Sequence, residues 1–166
     1  MPLYHHEGYK NLLTYKQGLD IYHLTKEFTS QHLHPIKDSR LISHMNDSAR
    51  SISANICEGY KRNNTRSYLE FLSFSRASNE ELKGDYTELE REYKEEIRKI
   101  IGADKEEMIG KIEEILTKIY GEDCMLGRQI KSLETKFVTQ GDEKEVLKNK
   151  RINYQKDQLG GLDRYW

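Results

Sequence analysis

The clearest pattern in the sequence is an apolar stripe between residues 42 and 56. Its members recur every three or four residues and are Ile42, Met45, Ala49, Ile52 and Ile56. This spacing puts them on one face of an α-helix, so we expect that face to be buried. A polar stripe runs beside it and comprises His44, Ser48, Ser51, Asn55, Glu58 and Arg62. Polar groups at the edge of a buried face need partners, from another helix, another subunit or a ligand.

Three further segments show helical periodicity. The apolar stripe of the third segment is the longest and is interrupted by two polar residues, Ser75 and Asn79, which more often specify register or partner than chemistry. The stripe of the fourth segment slips at Tyr120-Gly121-Glu122, where we expect a bend. The pattern predicts helices over about 9–28, 38–62, 65–101 and 105–137. We therefore predict an all-α fold, an antiparallel up-down-up-down four-helix bundle with a polar C-terminal tail.

Turn-forming and capping residues mark the ends of these helices. Pro35 interrupts helix formation after the first segment, and Asp38 or Ser39 is a good cap for the second. Thr65 or Ser67 is expected to cap the third helix, after a turn at Asn63-Asn64. Within the third helix, Gly84 suggests a close approach of another segment.

Three regions follow from these predictions. Residues 1–8 form a leader, residues 9–137 the bundle, and residues 138–166 a polar tail that is either disordered or a short helix. The tail ends in Tyr165-Trp166, which contains the only tryptophan of the chain. This end is either frayed or an aromatic docking peptide for a protein partner.

Composition narrows the class of protein. The chain has 166 residues, of which 33% are charged, and it lacks an apolar run long enough to cross a membrane. We expect a cytoplasmic protein that does not bind membranes. Cys57 and Cys124 are far apart, so reduced thiols are a better interpretation than a disulfide or a zinc site.

Enzymatic motifs are weak. All six histidines lie at or before His44, and Asp20-x-x-His23 and His32-x-His34 lack the companion ligands of a metal site. The sequence has no glycine-rich phosphate loop. We therefore predict that the protein is not an enzyme and has no cofactor, no catalytic residue and no metal.

Charge is unevenly distributed although the net charge is −1. Residues 1–77 carry +3, residues 78–122 carry −6 and residues 123–166 carry +2. In an up-down bundle the cations gather at one end, here called the basic pole: Lys10, Lys16, Lys61, Arg62, Arg66, Arg128, Lys131 and Lys136. Several of these cations also suit the negative ends of helices, so capping is an alternative explanation. Arg66 and Arg76 follow the start of a helix and are the best candidates for phosphate contacts.

One motif in the second helix indicates a family. At Ser51-Ile52-x-x-Asn55-Ile56-x-Glu58-Gly59-Tyr60 the chain resembles the bacterial four-helix bundle proteins encoded in intervening sequences of 23S ribosomal RNA genes. That family is distantly related to the accessory variability protein of diversity-generating retroelements. Weaker matches are Tyr9-Lys10-x-Leu12, Leu24-Thr25-Lys26-x-Phe28 and Ala77-Ser78-x-x-Glu81-Leu82. The chain has Asn46-Asp47 where the family usually has a basic pair, and Ser53 where it has a proline.

The resemblance implies a homopentamer without known catalysis and, for the retroelement relatives, binding to RNA and to a reverse transcriptase. Within the polar stripe, Ser51, Asn55 and Glu58 either form hydrogen bonds between helices or subunits or position a ligand, and the structural role is favoured because unpaired buried polar groups are costly. Asn79 is also assigned a structural or interface role. Glu81 belongs to the family pattern, and we expect it to pair with a cation near the second helix. For nucleic acid, the candidate residues are Lys61, Arg62, Arg66, Arg76, Lys10, Arg128 and Lys131. Two hypotheses result: an accessory protein that binds RNA or an RNA–protein complex, or a protein-interaction scaffold that uses the tail.

Overall fold

The computed structural model describes residues 7–62, 64–97 and 103–140. A short 3-10 helix, Gly8–Asn11, precedes four α-helices: α1 (Leu13–His32), α2 (Ser39–Lys61), α3 (Thr65–Ile97) and α4 (Ala103–Gln140). The described residues contain no strand, so the predicted all-α fold is confirmed. Most of the predicted leader and tail, including Tyr165 and Trp166, lies outside the described residues.

The helices pack in a closed ring in which α1 contacts α2 and α4, and α3 contacts the same two helices. Hydrogen bonds show the direction of each contact. Ile52 of α2 is bonded to Ser75 of α3, whereas His44 of α2 is bonded to Asp85 of α3. Residue numbers therefore rise along α2 as they fall along α3, as antiparallel packing requires. The other neighbouring helices are antiparallel as well. For α3 and α4 the contacting pairs are Asn79/Ile119 and Tyr68/Gln129. For α1 and α4 they are Thr14/Gln129 and Asp20/Lys118, and for α1 and α2 they are Gly18/Ser53 and Thr29/Asn46.

The apolar stripe of α2 lies in the core, as its spacing predicted. Four of its members are completely buried, namely Met45, Ala49, Ile52 and Ile56. They pack with completely buried side chains of the other helices, among them Ile21, Leu72, Leu82, Tyr86, Ile112, Ile119 and Leu126. Burial of these side chains from all four helices is the main force that holds the bundle together.

Helix ends differ from the sequence predictions in several places. α1 continues to His32, four residues beyond the predicted end at Phe28, and Leu33 is its C-cap. The predicted caps of α3 are also wrong, since Asn64 Oδ1 accepts a 2.7 Å hydrogen bond from the Ser67 backbone N–H. Asp38 makes no side-chain cap bond to α2. Its Oδ2 accepts a 2.7 Å hydrogen bond from the His34 backbone N–H and so closes the α1–α2 loop.

Two glycines show where helices approach closely and where they do not. A Cβ at Gly59 would lie 2.6 Å from Phe71 Cβ, so the bare glycine allows α3 to pack against the end of α2. No atom lies within 4 Å of a Cβ at Gly84. The predicted close approach at Gly84 is therefore wrong.

The predicted slip in α4 is wrong as well. The helix is continuous through residues 120–122, and the Glu122 side chain is completely buried. Glu122 follows Ile119 by three residues and precedes Leu126 by four, so it continues the buried stripe. The pattern predicted a slip because a carboxylate is expected outside a core.

Candidate nucleic-acid interface

A cluster of tyrosines joins the helices at the basic pole. The ring centroid of Tyr60 lies 6.0 Å from that of Tyr9 and 5.9 Å from that of Tyr68. The Tyr68 hydroxyl accepts a 2.7 Å hydrogen bond from Gln129 Nε2, and Gln129 Oε1 accepts one of 2.9 Å from the Thr14 hydroxyl. The start of α1, the α2–α3 turn and the later part of α4 therefore meet at one end of the bundle.

Two of the predicted site residues at this end are held over aromatic rings. Lys61 Nζ lies 5.3 Å from the centroid of the Tyr9 ring, and the Arg62 guanidinium carbon lies 5.0 Å from that of Phe71. Arg62 also contacts Glu58 at 2.6 Å. A hydrogen bond to Cys57 raises the pKa of Lys61 above its ordinary value, so this lysine stays charged. These contacts fix both cations at the surface beside the α2–α3 turn.

Other cations of the basic pole have no carboxylate partner within the described residues. They are exposed, and they comprise Lys16, Arg66, Arg128, Lys131 and Lys136. Lys10 differs, because its ammonium group contacts Glu7 at 2.7 Å and this hydrogen bond raises its pKa. Glu70 and Glu134 are the other exposed carboxylates in this part of α3 and α4. The unpaired cations are available to an anion without breaking an internal ion pair.

Three cations of α3 and α4 near the opposite end are paired. Arg91 contacts Glu88 and Glu95, and Lys94 contacts Glu90 at 2.6 Å and Glu113 at 3.2 Å. Lys111 likewise contacts Glu107 at 3.3 Å. On α3 and α4, the described cations near this end are therefore neutralised by carboxylates, unlike Arg66, Arg128 and Lys131.

Arg76 was predicted to contact phosphate, but the structure gives it an internal partner. Its Nε and one terminal nitrogen donate hydrogen bonds of 2.7 and 3.1 Å to the two carboxylate oxygens of Asp123. These bonds raise the pKa of Arg76 and lower that of Asp123. The open groove around the pair is also lined by Glu80 and Glu134. An incoming phosphate would therefore meet three carboxylates beside this one guanidinium.

The polar stripe of α2 makes different contacts along its length. His44 Nδ1 lies 2.7 Å from Asp85 Oδ2, which raises the pKa of His44. The Ser48 hydroxyl donates a 3.3 Å hydrogen bond to Glu81. Glu81 was predicted to pair with a cation, but its partner in the structure is this serine. Ser51 and Asn55 are half-buried and have no hydrogen-bond partner in the described part of the chain.

Two polar residues of the core have separate roles. Asn79 is 1% exposed and its Nδ2 donates a 3.0 Å hydrogen bond to the backbone oxygen of Ile119. Glu122 was not predicted as a special residue. Neither of its carboxylate oxygens has a hydrogen-bond partner, and burial raises its pKa to about 8. Its position in the helical register of Ile119 and Leu126 was the sequence signal that could have identified it.

Asn46, which stands where the family usually has a basic residue, lies at a helix interface. Its Nδ2 donates a 3.2 Å hydrogen bond to the Thr29 hydroxyl at the α1–α2 interface. Thr29 lies in the last turn of α1, so this contact is far from the basic pole. Loss of a basic residue at position 46 therefore leaves the cations of the basic pole unchanged.

The described residues contain no group of three or more His, Cys, Asp or Glu side chains arranged to hold a metal ion. Among their helices, none is long and apolar enough to cross a membrane.

Comparison with known proteins gives one family. A family model described as 23S rRNA-intervening sequence protein matches residues 10–121. The match includes α1, α2, α3 and the first half of α4. No curated protein matches the sequence.

Proposed function

Since the chain belongs to the 23S rRNA-intervening sequence protein family, we propose that it is a non-enzymatic, homo-oligomeric accessory protein. It binds RNA, or a complex of RNA with a protein such as the reverse transcriptase of a diversity-generating retroelement. Contact with RNA is made through the basic pole, and the oligomer is a pentamer.

One observation carries the RNA proposal. Arg66, Arg128 and Lys131 are exposed around the α2–α3 turn and the later part of α4, and none has a carboxylate partner among the described residues. Phosphate neutralisation by such cations releases counterions and supplies most of the affinity of a protein for nucleic acid. Arginine adds directional hydrogen bonds to phosphate oxygens. We therefore place the main contact at Arg66 and Arg128, with Lys61 and Arg62 held beside them over Tyr9 and Phe71.

Oligomerisation explains how a chain of net charge −1 could hold a polyanion. In a cyclic oligomer each subunit presents the same end to the same side, so the basic poles form one ring. Ser51 and Asn55 support an interface on α2, because these half-buried groups have no hydrogen-bond partner within the described protomer. Polar groups partly removed from water are stabilised when a second subunit supplies the missing hydrogen bonds.

RNA binding is tested by fluorescence anisotropy with a labelled structured RNA over a range of salt concentrations. Wild-type affinity should fall steeply with salt, and Arg66→Gln should lower the slope of log K against log salt by about 0.7 to 0.9. Arg40→Gln is the matched control, since Arg40 is exposed at the start of α2, at the opposite end of the bundle. Both variants remove one positive charge, so an equal loss of affinity would show that position is irrelevant and would contradict the proposal.

Absence of salt-sensitive binding by the correctly assembled wild-type protein would exclude the RNA proposal. The scaffold hypothesis would then replace it. Deletion of residues 141–166 should in that case abolish capture of a protein partner without changing the oligomer mass.

Assembly is tested separately by sedimentation velocity or native mass spectrometry. We expect a species of five times the 19.6 kDa chain mass. Asn55→Lys should shift the distribution toward smaller species, because it places a charge at the proposed interface. Ala54→Lys changes the adjacent exposed position and serves as the control. A monomeric wild-type protein, or an unchanged Asn55→Lys oligomer, would exclude this interface.

A further inference from the structure

Glu122 is a carboxyl group with no compensating partner in the core of the bundle. Its side chain is 0% exposed, and neither Oε1 nor Oε2 has a hydrogen-bond partner. An ionised carboxylate in such a place is costly, because burial removes its hydration and no positive charge or donor replaces it. A neutral carboxylic acid avoids this cost and gains a hydroxyl donor.

A second buried oxygen nearby lacks a donor. Asn79 is 1% exposed, and its Oδ1 has no partner although its Nδ2 is bonded to the backbone oxygen of Ile119. Ile119 and Glu122 are three residues apart on α4, so they lie on the same face, one turn apart. The Asn79 amide is thus positioned by the turn of α4 that also carries Glu122. A proton on the Glu122 carboxyl group supplies a hydroxyl donor for Asn79 Oδ1 and removes the buried charge.

The described ion pairs on the neighbouring helices near Glu122 lie at the surface. On the α3 side, Arg76 is paired with Asp123, and on the α1 side Lys118 lies 3.5 Å from Asp20. At this level α2 contributes Ile52, whose backbone oxygen is bonded by Ser75 of α3. Burial is the only cause of the raised pKa of Glu122. The charged side chains of this level are therefore paired with each other outside the core.

We propose that Glu122 is protonated in the folded bundle and donates its hydroxyl hydrogen to Asn79 Oδ1, which makes the α3–α4 interface a pH-sensitive element. Loss of this proton leaves a buried charge and three unsatisfied oxygens between α3 and α4, namely Oε1 and Oε2 of Glu122 and Oδ1 of Asn79. The bundle then loosens at this level. This inference concerns stability and is independent of RNA binding.

The direction of the pH dependence follows from linkage. The unfolded chain releases the Glu122 proton near the ordinary pKa of 4.5, whereas the folded chain retains it to about 8. Between these values the folded state binds more protons, so its stability falls as pH rises. One linked proton lowers the ratio of folded to unfolded protein by about tenfold per pH unit in this window, and the loss levels off above it.

The test measures urea unfolding between pH 5 and pH 9 on wild-type protein, Glu122→Gln and Glu114→Gln. Glutamine has an amide that can donate to Asn79 without titrating, so Glu122→Gln should lose this component of the pH dependence. Glu114→Gln replaces an exposed glutamate about two turns earlier on α4 and should behave like wild type. If Glu122→Gln retains the full wild-type pH dependence, the proposal is wrong.

Two histidines with shifted pKa values also contribute to the pH dependence of stability. Their contribution cancels when the variants are compared. The hydrogen bond to Asp85 raises the pKa of His44, so the contribution of His44 to the stability of the fold decreases as pH rises. Burial lowers the pKa of His32, so its effect on stability has the opposite sign. Both are present in every variant, so the difference between wild type and Glu122→Gln isolates the glutamate.

The contact with Asn79 is tested by a double-mutant cycle at pH 6 with Glu122→Met and Asn79→Leu. We expect a coupling of about two- to tenfold in the folding equilibrium, the range of one hydrogen bond. Additive effects would exclude the contact.

If the variants do not fold, the infrared carbonyl band of a protonated carboxyl decides the question on wild-type protein. The proposal requires this band to be present at neutral pH and to vanish at alkaline pH. Its absence at neutral pH would overturn the proposal.

Discussion

The Ser75 hydroxyl donates a 2.8 Å hydrogen bond to the backbone oxygen of Ile52, and both residues are completely buried. The bond crosses from α3 to α2 in the middle of the α2 apolar stripe. The bond therefore helps to hold the two helices in this register. A polar residue in the α3 stripe thus specifies the packing of the helix that carries the family motif.

Replacement of Ser75 by alanine should lower the free energy of unfolding by about 0.5 to 1.5 kcal/mol, the usual net value of one hydrogen bond. The carbonyl of Ile52 retains its bond within α2, so a larger loss is not expected. Ser73→Ala is the control, because Ser73 is exposed and its hydroxyl is bonded only to Leu69 of its own helix. Urea denaturation of both variants measures the difference, and equal losses would mean that the interhelical bond has no net effect.

Two glycine substitutions should have opposite effects. Gly59→Ala should destabilise the bundle by about 1 to 3 kcal/mol, the usual cost of overpacking, because the new methyl group would meet Phe71 Cβ at 2.6 Å. Gly84→Ala should instead stabilise by about 0.5 to 1 kcal/mol, since it adds helix propensity in open space. Thermal unfolding distinguishes the two signs. A stabilising Gly59→Ala would show that α2 and α3 separate without cost.

Arg76 and Asp123 should contribute modestly to stability and in a pH-dependent manner. The pair is partly exposed, with 50% and 30% of the two side chains accessible, so we expect a coupling of only about 0.2 to 1 kcal/mol in a double-mutant cycle with Arg76→Gln and Asp123→Asn. Arg76 lowers the pKa of Asp123 below its ordinary 3.8. The coupling is therefore present above pH 3.8 and is lost as pH falls through the lowered pKa.

The same variant separates the two roles considered for Arg76. If this arginine acts mainly within the bundle, Arg76→Gln should reduce stability while leaving the salt slope of RNA binding close to that of wild type. A loss of slope equal to that of Arg66→Gln would instead mean that RNA displaces Asp123 from the guanidinium.

Much of the fold could be predicted from the sequence because helical periodicity is a local property. Residues three and four apart share a face whatever surrounds the helix, so the stripe from Met45 to Ile56 identified a core helix without any structure. The order of four such segments with short connections then limited the arrangement to a bundle. The local motif from Ser51 to Tyr60 was sufficient to indicate the family.

Helix ends were less predictable because several residues compete for the same role. Asn64, Thr65 and Ser67 are all good caps by type, and the position of each backbone N–H decides which of them is used. Asn64 caps α3, with a 2.7 Å bond to Ser67.

The sequence by itself determined the four helices, their buried faces and the gathering of positive charge at one end. Only the tertiary structure decided which charges are neutralised: Arg76 is bonded to Asp123, whereas Arg66 has no carboxylate partner in the described part of the chain. It also placed Glu122 inside the core and Gly84 in open space. These outcomes depend on distances between residues far apart in sequence. Helical periodicity fixes the face on which a side chain lies, but it does not determine which residues of the neighbouring helix contact that side chain.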